Sequence, residues 1–447
     1  MILIASSMFF AYMFVDVLSP LQTLLGTQCG WTADTYGTFA SSEYFLNVFV
    51  FFLIFAGIIL DKMGVRFTAI LSGVVMVLGG SIKLYAISPA FAEGNALYDA
   101  LNSFWTSFPA NAKLASLGFA IFGCGVEMAG ITVSKAIVKW FTGKELALAM
   151  GLEMAIARLG VFAVFRLSPF LANLGTPDVV RPVAVVCGLL CIGLISFIVY
   201  SLMDRKLDQQ LGESTEEEPE EPFKVSDIGI LFTSKTFLIV AMLCVLYYSA
   251  IFPFQKFATS MLENRLNMST ADASDLFSWF PIGAMVLTPL LGWFLDNKGK
   301  GATMLILGAL LMSCCHLIFA LYPLNGEASS YVVAYAAIII LGVSFSLVPA
   351  ALWPSVPKLV ENRYLGSAYS VIFWIQNIGL WAFPIIIGKV LIWTNPGVTS
   401  ASGEYDYTAP MLIFASLGVF ALILGLWLKH EDKIKHYGLE QPNIKEK

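Results

Sequence analysis

Apolar residues run along this chain in long uninterrupted stretches broken by short polar ones. Residues 2–25, 38–60, 66–88, 113–139, 146–173 and 180–203 each hold enough apolar positions to cross a bilayer. So do 235–262, 272–295, 301–322, 329–357, 364–393 and 407–429. A helical span needs roughly 20 residues, and lipid tolerates only helices or closed barrels because every backbone polar group must be satisfied internally. These stretches are too long and too uniformly apolar for barrel strands. The expectation is an all-α membrane protein with twelve transmembrane helices. Composition agrees: 58% of residues are hydrophobic and 13% charged, about half the charge that a water-facing surface requires. The first stretch lacks a basic leader and is too long for a signal-peptide core.

Charge is distributed by side. The odd-numbered connections hold only Lys113, Arg181 and Arg265 near their edges, whereas the even ones hold Lys62, Arg66, Lys139, Lys144, Arg205, Lys206, Lys298, Lys300, Lys358 and Arg363 among others. Basic loops stay cytoplasmic, so both termini are expected in the cytosol, in the inner (plasma) membrane if the source is bacterial. The largest connection, 204–234, has an acidic, Pro-containing core from Glu213 to Glu221 and reads as a solvated, mobile linker. It divides the chain into a bundle over 1–203, a second bundle over 235–429 and a tail over 430–447.

The two bundles repeat each other. Gly57-Ile-Ile-Leu-Asp61-Lys-Met-Gly64 follows the second span and Gly292-Trp-Phe-Leu-Asp296-Asn-Lys-Gly299 follows the eighth, 235 positions apart. Later the offset is 219, for Gly123 with Gly342 and for Gly160 with Gly379. The loop 89–112 is 16 residues longer than its counterpart 323–330 and accounts for the change. One duplicated six-helix unit with one inserted loop fits these positions, giving two pseudo-symmetric six-helix bundles. The repeated GxxxDxxG, with Arg66 after the first copy, resembles the signature loop of the major facilitator superfamily. Glycine there would let two helices approach closely, and the Asp could pair with a neighbouring helix N-terminus. Gly57, Asp61, Gly64, Arg66, Gly292, Asp296 and Gly299 are therefore candidate gating residues.

A charge inside a span is costly and needs a reason. Asp16, Glu127 and Arg158 lie deep; Lys83, Lys135, Glu153, Arg166 and Lys389 read as shallower. Glu127 precedes the turn at 141–145 by as much as Arg158 follows it, which puts both about 20 Å from the cytosolic end. Opposite charges at one depth on neighbouring helices are either a neutralising salt bridge or a split site for a zwitterion, the carboxylate for an ammonium and the guanidinium for a carboxylate. At the 219 offset Glu127 corresponds to Ser346 and Arg158 to Asn377, so only the first half is charged, as a polar substrate read from one side would require. Asp16, followed by Ser19 and Pro20, is either an ammonium- or proton-binding group or a helix-to-helix bond. From the second half Tyr248, Trp353, Gln376 and Asn377 are candidates for the opposite wall of the same binding site.

Further stretches narrow the resemblance: Trp140-Phe-Thr-Gly-Lys-Glu-Leu146 with Ala157-Arg158-Leu-Gly160, Tyr247 to Phe254, Ala351-Leu-Trp-Pro354, Leu365-Gly-Ser-Ala-Tyr369 and Ile375-Gln-Asn-Ile-Gly379. They are similar to the lysosomal dipeptide uniporter branch of the superfamily and its microbial relatives. That resemblance implies alternating-access transport of dipeptides or similar zwitterions, with Glu127 matching the residue for the amino end and Arg158 the one for the carboxyl end. Phe119 stands where many proton-coupled members carry an Arg, which favours passive uniport or another coupling and leaves coupling through Asp16 open. The alternative is a carrier of other organic anions or amino acids, possibly proton-coupled. No phosphate loop, nucleophile motif, metal spacing or nucleic-acid-binding pattern is present, so neither an enzyme nor a cofactor is expected. The expected partners are a small-molecule substrate and the lipid bilayer, and the protein is expected to be a monomer.

Overall fold

The computed structural model describes residues 1–141, 146–211, 225–361, 364–402 and 404–442. The turn at 142–145 and the acidic core Glu213–Glu221 of the expected linker lie outside them. The described residues form fifteen α-helices: α1 (Ile2–Asp16), α2 (Gln22–Cys29), α3 (Ala33–Phe49), α4 (Phe52–Ile87), α5 (Ala96–Asn102), α6 (Ala110–Phe141), α7 (Leu146–Ala172), α8 (Val180–Leu211), α9 (Val225–Thr233), α10 (Lys235–Leu266), α11 (Thr270–Lys298), α12 (Gly301–Leu321), α13 (Ala328–Leu359), α14 (Leu365–Thr394) and α15 (Thr408–Lys435). A short 3-10 turn over Ser19–Leu21, at Pro20, joins α1 to α2 into one span.

Eleven helices in the described residues are long and apolar enough to cross a membrane. The twelfth stretch expected from the sequence, 38–60, falls on α3 and the start of α4. It breaks at Phe51, which takes a left-handed φ of 54°, and its continuation runs on into the third span through Gly64 (φ 75°, ψ 170°). Only glycine occupies that region without strain. Gly299 likewise has φ 73° between α11 and α12, so the final glycine of both signature copies makes the same reversal. The linker expectation needs correcting at its edges: α8 runs on to Leu211, α9 is helical, and Asp204 is buried rather than solvated. Asp204 is held there by Lys139 at 2.8 Å, by Trp140 and by Tyr200.

The chain divides into two compact units. The first comprises 1–214, 256–278 and 381–406; the second comprises 215–255, 279–380 and 407–447. In the first, α4 packs on α6 and α8, and α1 on α7 and α8. In the second, α12 packs on α13 and α15. The third span of each half thus meets its own fourth and sixth. The glycine pairs that define the repeat make matching approaches. A Cβ at Gly123 would strike the backbone of Glu43 on α3, and one at Gly342 the Phe280 carbonyl on α11. Gly160 abuts Phe9 of α1, and Gly379 abuts Ser249 of α10. Small residues at such crossings let helices associate by close van der Waals contact where lipid offers no hydrophobic drive.

Gly57 and Gly292 do not behave this way. A Cβ at either would meet nothing within 4 Å, so the expected close helix approach at the signature loops is absent and is made by the mid-span glycines instead. His316 is fully buried, with Nε2 3.2 Å from the Ala250 carbonyl and its ring against Phe254 and Phe414.

Candidate substrate site and gates

Glu127 sits on α6 and Arg158 on α7, both half-buried. Among the described residues Glu127 forms no ion pair, so the two charges do not neutralise one another. The Arg158 guanidinium lies 5.8 Å from the ring centre of Tyr12 on α1, a cation–π distance. Tyr12 is within electrostatic reach of Arg158, Glu153, Glu127 and Glu43 together, and Tyr44 on α3 is within reach of Glu127 and Glu43. Two tyrosines therefore stand among charges of both signs on three helices, α3, α6 and α7. Ser346, the repeat counterpart of Glu127, is fully buried and donates to the Gly342 carbonyl at 2.8 Å and to that of Gly283 at 3.3 Å. Where the first half keeps a half-exposed carboxylate, the second half has a helix-to-helix hydrogen bond.

Asp16 is placed differently from an open binding group. It is fully buried, accepts from Ser19, and lies 3.1 Å from the Lys256 ammonium of α10. The same ammonium is 3.4 Å from Glu43 of α3. Asp16 thus takes the helix-to-helix alternative, as part of a buried ion network. Glu43 and Lys256 were not singled out in the sequence. Each is a lone charge inside an apolar run, the same signal that marked Asp16. Next to this network the Gln22 amide donates to the Lys256 carbonyl at 2.7 Å.

In the second unit the Trp353 indole donates to the Tyr248 hydroxyl at 3.1 Å, and Tyr369 donates to the Trp353 carbonyl. Trp353 stacks on Phe373 with ring centres 4.8 Å apart. Tyr248 and Trp353 are therefore brought together on one aromatic surface. Gln376 is buried and accepts from the Cys244 thiol at 3.3 Å; Asn377 beside it is buried too.

The signature residues are tied by side chains rather than by a helix N-terminus. Asp61 accepts from Lys135 of α6 at 3.1 Å. Arg66 pairs with Asp208 at 3.0 Å, and Lys139 reaches both Asp204 and Asp208, all at the end of α8. In the second copy the chain beyond α15 does the holding. Glu440 accepts from the Thr303 amide and hydroxyl, Leu439 accepts from the Gly301 amide, and Lys358 donates to Gly438. Gly299 leaves room for this segment, since a Cβ there would collide with Glu440 and Gln441.

A sequence profile described as the Major Facilitator Superfamily matches residues 4–384 and 256–442. The chain belongs to the major facilitator superfamily. It is an integral, multi-pass membrane transporter of a small-molecule substrate. Among similar proteins is the lysosomal dipeptide transporter MFSD1 of Mus musculus, 29% identical over 354 residues, covering 77% of this chain and 69% of that protein. The protein of the same name from Homo sapiens is 27% identical over 346 residues, 75% of this chain and 68% of the other. Similar solved structures include the nucleoside transporter NupG (TM-score 0.70, 14% identity, 96% of this chain and 99% of the other). A D-xylose-proton symporter aligns with a TM-score of 0.67 at 13% identity, over 95% of each chain. A structure titled for substrate recognition in proton dependent oligopeptide transporters has a TM-score of 0.64 at 14% identity, over 97% of this chain and 98% of the other. These structures share the fold while being named for nucleosides, a sugar and peptides, so architecture alone selects no solute.

Proposed function

We propose that this transporter moves dipeptides by alternating access, as a uniporter, with Glu127 meeting the substrate's ammonium and Arg158 its carboxylate. The observation that carries the reading is that these opposite charges on adjacent helices are half-buried and unpaired with one another. A pair that served only to neutralise itself would be bonded to each other, whereas a zwitterion offers each of these charges its opposite at once. The names of the MFSD1 relatives support the same solute class. Tyr12, beside the Arg158 guanidinium, joins the site in this reading. Tyr248 and Trp353 are proposed to meet the substrate's side chains, where aromatic faces suit varied apolar groups, with Gln376 and Asn377 beside them. Asp61, Arg66, Asp296 and the glycines of the two signature loops are proposed to act at the cytosolic gate.

The organic-anion alternative would want surplus positive charge. Two further buried cations do exist, Lys83 and Lys256, but Asp16 and Glu43 match them in number. The basic loops support cytosolic termini, and the protein is proposed to act as a monomer. A thermal-shift screen of purified protein against dipeptides, single amino acids, sugars and dicarboxylates tests the substrate class. Dipeptides are expected to raise the unfolding temperature by several degrees at millimolar concentration through mass action. Stabilisation by sugars or dicarboxylates alone would remove the reading.

A further inference from the structure

Phe119 occupies the position whose missing arginine argued for uniport, and two ammoniums converge on its ring. Lys83 of α4 has its Nζ 4.3 Å from the Phe119 ring centre, and Lys256 of α10 has its Nζ 5.5 Å from the same centre. Lys83 is fully buried (0% exposed). Its surroundings are the rings of Phe14 at 4.4 Å and Phe39 at 5.2 Å, and the Phe14 carbonyl at 3.4 Å. Among the described residues no carboxylate comes within ion-pair distance of it. The neighbouring carboxylates are both taken by Lys256, and they outnumber it: Asp16 and Glu43 are 0% and 6% exposed, Lys256 4%. Glu43 Oε2 lies 3.4 Å from Lys256 without a hydrogen bond's alignment. One ammonium between two buried carboxylates leaves a net charge of −1, and Lys83, carrying its proton, brings the set to zero.

We propose that the Asp16–Glu43–Lys256 network acts as a gate and that Lys83 is the charge that lets it close without taking up a proton. All four charged groups, with the three rings that separate them, lie in one compact unit. Lys256 reaches the network from the seventh span, whereas Asp16, Glu43 and Lys83 belong to the first three. When the seventh span withdraws during the cycle, water hydrates the carboxylates and Lys83 stays beside them; when it returns, the buried set is again two positive and two negative. Neutrality in the closed state then needs no co-transported ion. The other titratable groups around the network are Tyr12 on α1, Tyr36 and Tyr44 on α3, Cys187 on α8 and, near Glu43, Glu127 on α6. Glu127 is assigned to the substrate, so the balance rests on the four.

Removing Lys83 should turn a uniporter into a proton-requiring carrier. In Lys83→Met the closed gate holds two carboxylates against one ammonium, and one carboxylate must bind a proton for the gate to shut. The proton is present at low pH and lost as pH rises. Alanyl-alanine uptake into liposomes is therefore expected to be flat within twofold from pH 5.5 to 8.0 for the wild-type protein. For Lys83→Met it is expected to fall at least tenfold over that range and to be accelerated by an inward-acid gradient, with protons entering alongside. Lys83→Met/Glu43→Gln restores one ammonium to one carboxylate and should flatten the profile again. The unfolding temperature of the purified variants, measured across the same pH range without substrate, reads the same charge balance independently of what is carried.

The proposal rests on the uniport reading, and the two fail differently. Wild-type uptake driven by a proton gradient would overturn both. Wild-type uptake indifferent to protons, with Lys83→Met equally indifferent, would overturn the role of Lys83 alone. Loss of uptake in Lys83→Met at every pH, with no pH dependence of its unfolding temperature, would also overturn it and leave Lys83 a packing residue.

Discussion

Glu127→Gln and Arg158→Lys each abolish dipeptide counterflow while the purified proteins keep their fold. Both groups are half-buried and not bonded to each other, so neither substitution breaks an ion pair between them. The loss falls on substrate. A charge-assisted hydrogen bond contributes about 1.5–3 kcal/mol, and an ammonium or carboxylate left without its counter-charge in a closed site loses at least that much. Affinity should drop by about 10- to 100-fold per substitution. Arg158→Lys is the sharper of the two. It keeps the charge and removes the planar fork that can hold a carboxylate with two parallel bonds, and it weakens the stacking on Tyr12 seen at 5.8 Å. Counterflow in proteoliposomes, with thermal unfolding as the control for folding, is the measurement. Wild-type flux in either variant would take that residue out of the site.

Lys256→Met should have the largest effect on conformation. It removes the one cation within ion-pair distance of both Asp16 and Glu43 among the described residues, and breaking a buried pair costs about 3–5 kcal/mol. The protein can relieve most of that cost by opening the network to water, which moves the equilibrium away from the closed arrangement by about 100-fold or more. Met261 lies on α10 beyond Lys256 and is fully buried. In a background where the seven cysteines are replaced by alanine, Met261→Cys should react at least tenfold faster with a membrane-impermeant thiol reagent once Lys256 is Met. Lys256→Met/Asp16→Asn should recover part of the protection, because one fewer carboxylate is left uncompensated. Equal labelling rates in all three proteins would mean that the network does not hold the gate shut.

The membrane spans and the duplication were legible because both are written in spacing. Apolar length reports bilayer thickness directly, and the 219 offset picked out Gly123, Gly160, Gly342 and Gly379, which do make equivalent crossings. The loop insertion that shifts the offset contains α5, with Lys113 donating to the Leu101 carbonyl at 2.6 Å. What spacing could not supply was partnership. Lys83 read as a shallow lysine because depth along a helix does not say which neighbours cover it; Phe14, Phe39 and Phe119 come from three other helices. Asp16 looked like an open acid because its counter-ion lies 240 positions away. The signature glycines were read through close packing, whereas at Gly64 and Gly299 glycine is needed for a positive φ. The break at Phe51 sits in a run of aromatic and aliphatic residues with neither Gly nor Pro to announce it.

Seen in this light, the second half is not an idle copy. Its signature loop is held by the segment beyond α15, where Glu440 and Leu439 bond to the start of α12, while the first half uses Asp204 and Asp208 of α8 for its own loop. Its buried Ser346 bonds to the Gly342 carbonyl at the position where the first half carries the Glu127 carboxylate. Asymmetry in charge on a symmetric frame is what a solute with two different ends requires.

Competition by end-blocked dipeptides tests that claim most directly. Counterflow of alanyl-alanine through the purified protein should be inhibited by unlabelled alanyl-alanine. N-acetyl-alanyl-alanine, which offers no ammonium to Glu127, and alanyl-alanine amide, which offers no carboxylate to Arg158, should each inhibit at least tenfold more weakly. Equal inhibition by all three would contradict a site built to read both ends of a zwitterion.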